Sequence, residues 1–533
     1  MAVSRDLEAP AVVNDPTADD ATVEKKEYTD GAPANDPFGN EECGEVKYRV
    51  MSWWQCGTLM VAENISLGIL SLPSAVATLG IVPAVILLLG LSAISWYTGY
   101  IMGQFKLRFP QIHSMGDAGE LLMGSFGREL FGIGQLLFLI FLMASHILTF
   151  SVLFNTITNH GTCTIVFGVV GLVVSCIGAL PRTMGKVYWM SMASCISIVT
   201  ATTVTMIAIG VQAPDNVHVD ATTEVSFQEA FLAVTNIIFA YIAHVAFFGF
   251  ISEMHDPRDF PKSLTMLQVV DTSLYIVTAM VIYRYAGPDV DSPALSSAGP
   301  LMKKVAYGLA IPTVVIAGVV FGHVACKYIY VRIFRGSDHL HQNSFLAIGS
   351  WVAIGLSVWV VAWVIAESIP VFNQLLSLIS SLFGSWFSYG LPAIFWLVMN
   401  KGRWFSTRSK ICLFIANILI LAFACALCGI GLYVSASPPM NPHRTKRFPT
   451  DGKLDTTLVR GLGNASAFAI SALVEAGRGL LEGEFDPFDL VVATHIGTAA
   501  GRDLVDTIAP QEALAVAKRE VIARNFIVEE EDA

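Results

Sequence analysis

The sequence predicts an all-α polytopic membrane protein with eleven transmembrane helices. Of its 533 residues, 54% are hydrophobic and only 14% are charged, and the mean hydropathy is +0.60. The apolar residues form eleven separate runs between residues 53 and 434. The first and sixth runs are interrupted by glycine, small or polar residues, and such interruptions at equivalent positions of two repeats are typical of secondary transporters.

Each run is close to the roughly 20 residues that a helix needs to cross about 30 Å of hydrocarbon. Inside a bilayer the backbone amides have no water to bind, so helices are the expected conformation. The predicted spans are residues 53–79, 81–104, 130–156, 163–180, 187–211, 227–250, 262–283, 305–329, 345–367, 371–399 and 410–434.

The two ends of the chain differ in composition from the apolar region. Residues 1–46 are rich in Asp, Glu, Ala and Pro, which predicts a disordered acidic arm. Residues 436–533 form a polar tail without a spanning run, and Asn464 within it begins a glycosylation sequon. Much of the net charge of −11 comes from these ends, and we expect no nucleic-acid partner.

Basic residues between the runs predict the orientation. Lys106 and Arg108 follow the second run, and Lys401 and Arg403 follow the tenth, whereas the segment between the fifth and sixth runs carries three acids and no Lys or Arg. By the positive-inside rule the N-terminus is cytoplasmic. With eleven spans the C-terminus is then extracytoplasmic.

The first run contains Gly68 and Pro73, which disfavour a continuous helix. We expect unwinding near Ser66 to Leu70, which would free backbone amides for an anion such as an amino acid carboxylate. The alternative is a kinked structural helix. If ten helices form two five-helix repeats, the first and sixth runs occupy equivalent positions, and a substrate site at the membrane midplane follows.

The sixth run places Tyr241 and His244 among apolar residues and ends in a polar stretch, residues 252–261. Ser-Leu-Gly-Ile-Leu-Ser-Leu-Pro at 66–73, Phe-Ala-Tyr-Ile-Ala-His-Val-Ala-Phe-Phe at 239–248, and the later Glu-Met and Asp-Pro-Arg-Asp-Phe-Pro together resemble the amino acid/auxin permease family, nearest to the fungal neutral amino acid permeases. The resemblance covers residues 47–435. It implies an inverted five-plus-five repeat of the leucine-transporter type plus one extra helix, and proton-coupled amino acid uptake.

The resemblance also implies a substrate site between the first and sixth helices. Backbone groups of Ser66, Leu67, Gly68 and Ile69 would hold the carboxylate and amine of the substrate. The remaining walls would come from Phe239, Tyr241 and His244 on the sixth helix and from Phe138, Phe141 and Ser145 on the third. For each aromatic residue the alternative is ordinary helix packing.

Five acidic or histidine side chains lie more than four residues inside the ends of the apolar runs, where such groups are rare and functional. They are Glu63, His146, His244, Asp271 and His323. Glu63, His244 and His323 are candidates for binding the coupling proton. We expect His146 to make a packing hydrogen bond and Asp271 to be solvated near the cytoplasmic end.

The eighth run bears on the coupling ion. In sodium-coupled members of the leucine-transporter fold, hydroxyl groups on this helix help to hold the ion. Residues 314–323 contain no Ser or Thr in this chain, and a hard cation needs oxygen ligands. The sequence therefore favours protons over sodium.

The function predicted from these features is proton-coupled symport of neutral aliphatic or aromatic amino acids by alternating access. The chain has no P-loop, nucleophile elbow or metal-ligand cluster, so we expect neither an enzyme nor a cofactor or bound metal. The expected partners are neutral amino acids, protons and the lipid bilayer. We expect the plasma membrane as the location. Two alternatives stay open: a vacuolar exporter of the same fold, and a non-transporting amino acid sensor.

Overall fold

The computed structural model describes residues 48–182, 184–212, 217–334, 337, 344–369 and 371–436. The acidic arm, the sequon at Asn464 and nearly all of the polar tail lie outside the described residues. Within those ranges the chain is helical, with ten apolar helices long enough to cross a membrane. The helix α4 has 15 residues and is therefore about 22 Å long. The predicted all-α membrane protein is confirmed, and the ten spanning helices together with the shorter α4 correspond to the eleven predicted runs.

The helices follow the predicted runs closely, and two runs contain more than one helical element. The sixth run comprises α6, a short 3-10 turn at Ala243–Ala246 and α7, and the tenth comprises α11, a π-helix at Ser380–Gly390 and α12. The α-helices are α1 Trp53–Leu79, α2 Ile81–Arg108, α3 Met115–Thr158, α4 Thr164–Gly178, α5 Met184–Gln212, α6 Phe227–Phe239, α7 Phe247–Ser252, α8 Phe260–Ala286, α9 Pro300–Phe334, α10 Phe345–Ser368, α11 Phe372–Ile379, α12 Leu391–Met399 and α13 Arg408–Ala436.

Burial divides the helices into an inner and an outer group. The apolar window of α1 is 89% buried inside the protein, whereas that of α13 is only 22% buried. The sixth run, α3, α9 and the tenth run are also mostly buried, while α2, α5, α8 and α10 are mostly not. The outer helices expose large apolar side chains such as Ile86 and Leu89, which is the arrangement expected of a surface that faces lipid.

The helix α1 lies at the centre of the inner group and contacts α5, α6, α8 and α9. It remains helical throughout, so the predicted unwinding near Ser66 to Leu70 is wrong in this structure. Gly68 instead permits close packing, because a Cβ atom at this position would lie 2.8 Å from Cα of Ala240. Pro73 removes one helical hydrogen bond without ending the helix.

The long helix α3 is bent near its start, where Met123 and Gly124 depart from helical geometry. Gly124 has φ +63° and ψ −150°, a conformation that is open essentially to glycine alone. The predicted span that starts at residue 130 therefore corresponds to the part of α3 after the bend. The part before the bend begins at Ser114, whose side chain accepts a hydrogen bond from the Asp117 amide.

Replacing Gly124 with Ala should lower the stability of the protein by roughly 1–3 kcal/mol, because a side chain disfavours this backbone conformation. A Cβ atom at Gly124 meets no other atom within 4 Å, so the cost is one of backbone alone. Gly90, within α2, also has open space around it, and Gly90→Ala should be neutral or stabilising by up to about 1 kcal/mol. Thermal unfolding of both variants in detergent measures the difference in their stability. Equal melting temperatures would show that the backbone conformation at Gly124 does not require glycine.

Candidate functional site

The sixth run is broken in the middle of the helical bundle. The helix α6 ends at Phe239, the next regular element is the 3-10 turn at Ala243–Ala246, and α7 begins at Phe247. Ala240, Tyr241 and Ile242 between them are buried. Non-helical backbone at membrane depth is tolerated only where protein groups or a water-filled cavity satisfy it. The predicted interruption of this helix is confirmed.

Side chains from three other helices satisfy carbonyl groups at the break. Asn64 Nδ2 on α1 donates to the Ala240 carbonyl at 2.9 Å, and Ser95 Oγ on α2 donates to the Tyr241 carbonyl at 3.1 Å. Gln135 Nε2 on α3 donates to the carbonyl of Val245 at 3.5 Å. An unpaired buried carbonyl would cost a few kcal/mol, so these donors hold the break in one conformation.

His244 ties the break to α2. Its Nε2 lies 3.0 Å from the Ser95 carbonyl oxygen and 3.0 Å from the Thr98 hydroxyl. Because a carbonyl oxygen only accepts, Nε2 carries the hydrogen, and Nδ1 is left as an acceptor. The ring also packs on Phe247, with centroids 4.7 Å apart. His244 is fully buried and its contacts are those of a packing residue.

A cavity lies beside the break, between α1, α3, α9 and the sixth run. In this conformation it is small, with room for about one water molecule, and it is partly open. Six of its lining residues are apolar and three are polar or charged, which leaves few groups to orient a ligand. They are Glu63, Asn64, Leu67, Leu142, His146, Phe239, Ile242, Ala243 and Phe321.

Glu63 is the charged residue of this lining. Its side chain is 2% exposed, and neither carboxylate oxygen has a hydrogen-bond partner among the described residues. A buried carboxylate without a partner is strongly disfavoured unless it is protonated or meets a cation. The cavity therefore offers a position at which a proton or the ammonium group of a ligand would be bound.

His146 faces the same cavity from α3. Its Nδ1 lies 2.9 Å from the Val314 carbonyl on α9, so Nδ1 carries the hydrogen. The expected packing hydrogen bond is confirmed, and the residue also lines the cavity. Its ring lies 5.8 Å from that of Phe321, which forms part of the α9 wall.

The residues predicted for the substrate site separate into two groups. Leu67 and Phe239 line the cavity. Ser66, Gly68, Ile69, Tyr241, His244, Phe138, Phe141 and Ser145 do not.

On α3 the cavity is lined by Leu142 and His146, which are four residues apart. Phe138 and Phe141 instead contact Phe383 of the π-helix, with ring centroids 5.5 and 5.3 Å apart, and Ser145 Oγ donates to the Leu142 carbonyl at 2.6 Å. Sequence reasoning missed the lining residues Asn64, Leu142, Ile242, Ala243 and Phe321. The polar His146, with Leu142 one turn away, was the available signal for α3.

Two further ionisable residues lie outside the cavity lining. His323 is buried in α9, where its ring meets that of Trp351 edge-on at 5.4 Å. Asp271 on α8 is 0% exposed, and its Oδ2 accepts a hydrogen bond from Asn64 Nδ2 at 2.6 Å. The expectation that Asp271 is solvated is therefore wrong, because the packing of α8 against α1 excludes water from this position.

A buried ion pair closes one end of the inner helices. Lys327 on α9 pairs with Glu253 after α7, and the two side chains are 3% and 0% exposed. Tyr48 lies beneath the Lys327 ammonium, 4.9 Å from it, and burial raises the pKa of the Tyr48 hydroxyl to about 12. Backbone bonds between Met51 and residues 253 and 255 join the start of α1 to the same point. The ion pair thus connects α7 with α9, and the Met51 backbone bonds add the start of α1.

Comparison with known proteins gives agreement over most of the chain. Residues 49–437 match the family model described as transmembrane amino acid transporter protein. The N amino acid transport system protein of Neurospora crassa is 36% identical over 408 residues, which cover 75% of this chain and 87% of that protein. A transmembrane transporter of Gibberella moniliformis is 30% identical over 402 residues, covering 74% and 85%. These relatives carry the names of transporters, in agreement with a chain that is not an enzyme.

A solved structure shares the fold. A manganese transporter variant from Eremococcus coleocola aligns with a TM-score of 0.51 and 11% sequence identity, over 83% of this chain and 95% of that one. At this identity the likeness concerns the fold alone, which is the leucine-transporter type.

Ser95→Ala should destabilise the protein by roughly 1–2 kcal/mol, because it removes the donor to the Tyr241 carbonyl and leaves that group unpaired. Ser273→Ala is the matched control, since the Ser273 hydroxyl is exposed on α8 and, among the described residues, bonds to the Val269 carbonyl of its own helix alone. Thermal unfolding of the two purified variants compares them. A Ser95 variant as stable as the Ser273 variant would show that the break does not need this donor.

Proposed function

Because the chain belongs to the transmembrane amino acid transporter protein family, we propose that it is a proton-coupled symporter of neutral aliphatic or aromatic amino acids. One observation carries the proposal. Within the described part of the chain the buried carboxylate of Glu63 has no hydrogen-bond partner, and it lies in an apolar cavity beside the broken sixth run. Intramembrane ionisable groups at such positions typically belong to a substrate or proton pathway.

The polar groups of the cavity suit the ammonium group of an amino acid. Both hydrogens of the Asn64 amide are used, one on the Ala240 carbonyl and one on Asp271. Its Oδ1 therefore remains as an acceptor. We assign the substrate ammonium to Asn64 Oδ1 and to a carboxyl oxygen of Glu63. In a neutral amino acid this ammonium group is the sole cationic group that needs a partner.

The backbone amides at the break suit the substrate carboxylate. Because α1 is continuous, the amides of Ser66, Leu67, Gly68 and Ile69 are engaged within the helix, contrary to the initial assignment. Ile242 directly precedes the 3-10 turn and Ala243 is its first residue, and the first amides of a helical turn have no partner within it. Both residues line the cavity. We therefore assign the carboxylate to these two amides.

The side chain of the substrate meets the apolar part of the lining. Leu67, Leu142, Phe239 and Phe321 form this wall, and burial of a methylene group contributes about 0.8 kcal/mol. A second charge on the substrate side chain would be buried there without a partner. These features support selection of neutral aliphatic and aromatic substrates.

Glu63 is our first assignment for the coupling proton. In the loaded state a protonated Glu63 adds no charge to the cavity, and release of the substrate exposes it to water, where it loses the proton. His244 and His323 remain coupling candidates, although neither lines the cavity. From α9 the cavity lining receives Phe321 rather than a hydroxyl, which supports protons over sodium.

We further propose that the N-terminus is cytoplasmic and the C-terminus extracytoplasmic, in the plasma membrane. The distribution of basic residues supports this orientation. In this orientation the Lys327–Glu253 ion pair lies at the cytoplasmic end of the bundle. A vacuolar membrane would keep the fold and change the direction of proton flow, and cell fractionation distinguishes the two.

Uptake by proteoliposomes that contain the purified chain tests the function. Labelled phenylalanine or leucine should accumulate when an inward proton gradient is imposed, and a protonophore should abolish the accumulation. An inward sodium gradient at equal pH should drive none. Accumulation with sodium alone would contradict proton coupling, and saturable binding without accumulation under either gradient would indicate a sensor.

Glu63→Gln should remove one proton from the transport cycle. At a gradient of one pH unit each coupled proton contributes about tenfold to the accumulation ratio, so the ratio should fall about tenfold while counterflow of labelled substrate persists. Glu224→Gln, an exposed acid before α6, is the control and should behave like the wild-type protein. Unchanged accumulation in Glu63→Gln would exclude Glu63 as a coupling group.

Phe321→Ala should enlarge the cavity and favour larger substrates. We expect uptake of tryptophan relative to alanine to rise at least about threefold, since the lost ring leaves space beside Leu142 and His146. Val305→Ala changes an exposed residue of the same helix and should leave this ratio as it was. Competition uptake with the two amino acids measures the ratio of tryptophan to alanine uptake. Equal ratios in both variants would show that the substrate side chain does not lie against Phe321.

A further inference from the structure

Asp271 is a buried acid that the mechanism above does not use. Its carboxylate is 0% exposed, Oδ2 accepts from Asn64, and Oδ1 has no hydrogen-bond partner among the described residues. It lies on α8, which packs along α1 next to the break. The interaction joins positions 207 residues apart in the sequence.

The groups that face Asp271 supply no positive charge. From α1 the Asn64 amide donates a hydrogen bond to it. The other polar groups close enough to feel its charge are uncharged: the Tyr241 hydroxyl of the sixth run, the Cys195 thiol of α5 and the Tyr275 hydroxyl of its own helix. Among the described residues no Lys, Arg or His contributes to its electrostatic surroundings. A carboxylate in such surroundings requires a proton, because an isolated buried charge is far costlier than a neutral acid.

A proton fits this position better than a metal ion. The Asn64 amide directs its two hydrogens at the Ala240 carbonyl and at Asp271 Oδ2, and these oxygens are the ones that a hard cation would use as ligands. No cluster of three or more His, Cys, Asp or Glu side chains suited to a metal occurs in the described part of the chain.

Asn64 connects this acid to the cavity. The Asn64 side-chain nitrogen donates hydrogen bonds to the Ala240 carbonyl at the break and to Asp271. Asn64 also lines the cavity. Its backbone carbonyl also accepts a hydrogen bond from the Tyr275 hydroxyl at 3.1 Å. A ligand ammonium bound to Oδ1 would hold the amide in the orientation that bonds both partners. Substrate binding and the contact between α1 and α8 are therefore linked through one side chain.

We propose that Asp271 is a second protonatable group in the transport cycle, and that Asn64 is the positioning residue that links it to the substrate and to the broken helix. This inference rests on the proposed symport. The contact between α1 and α8 closes only when Asp271 is protonated and therefore neutral. When the two helices separate, water reaches Asp271 and the proton leaves to water on that side. Each cycle then moves two protons, one on Glu63 and one on Asp271.

Asp271→Asn tests the proposal in proteoliposomes, because the amide keeps the shape but cannot ionise. At a gradient of one pH unit, we expect the accumulation ratio to fall about tenfold from the wild-type value, and the protons moved per amino acid to fall by half. Counterflow should stay within about threefold of wild type. Asp271→Glu should restore most of the proton movement. Asp289→Asn, an exposed acid just beyond α8, is the control and should match wild type.

The possible failures are distinguishable. If the wild-type protein shows no proton-driven accumulation, the proposed symport is wrong. If the wild-type protein is proton-driven and Asp271→Asn moves as many protons per amino acid, Asp271 is not a coupling group and the symport stands. If Asp271→Asn shows no counterflow, the protons moved per amino acid are measured in Glu63→Gln instead. If Glu63→Gln still moves half as many protons per amino acid as the wild-type protein, a second protonatable group is supported. If Glu63→Gln moves none, the proposal is wrong.

Discussion

The backbone carbonyls at the break of the sixth run tie three other helices to one point in the bundle. In a membrane these groups have no water, and each must find a donor from the protein. Asn64, Ser95 and Gln135 provide the donors from α1, α2 and α3. Three helices are thereby fixed around one point of irregular backbone, and the cavity forms where the irregular backbone and α1 meet.

The close approach of α1 to this point depends on a missing side chain. Gly68 lies against Ala240 so closely that a Cβ atom would overlap it. The same approach brings Asn64 within reach of Asp271 on α8 and Glu63 into the cavity. Two acids are buried in this region, and buried acids lower stability. The proton-coupled cycle proposed above would account for two buried acids at this contact.

The lengths of the apolar runs and the polar residues that interrupt them were sufficient to predict much of the fold. The eleven runs, their approximate limits and the break in the sixth run followed from apolar length and from polar residues such as His244. The continuity of α1 could not be predicted in this way. Gly68 and Pro73 indicate a weak helix locally, but in the structure α1 is continuous and Gly68 packs against Ala240. On α3 apolar residues occur on every face, so hydrophobic periodicity alone gave no rotation, and Phe138 was chosen although Leu142, one turn from the polar His146, lines the cavity. The pairing of Asn64 with Asp271 depends on tertiary contact alone.

The most direct test of the account is a structure of the purified transporter with bound phenylalanine, determined by electron cryo-microscopy. The account predicts density for the amino acid in the cavity, with its ammonium at Glu63 and Asn64 and its ring near Phe321. Density between Phe138, Phe141 and Phe383, or an amino acid bound away from the break, would contradict it.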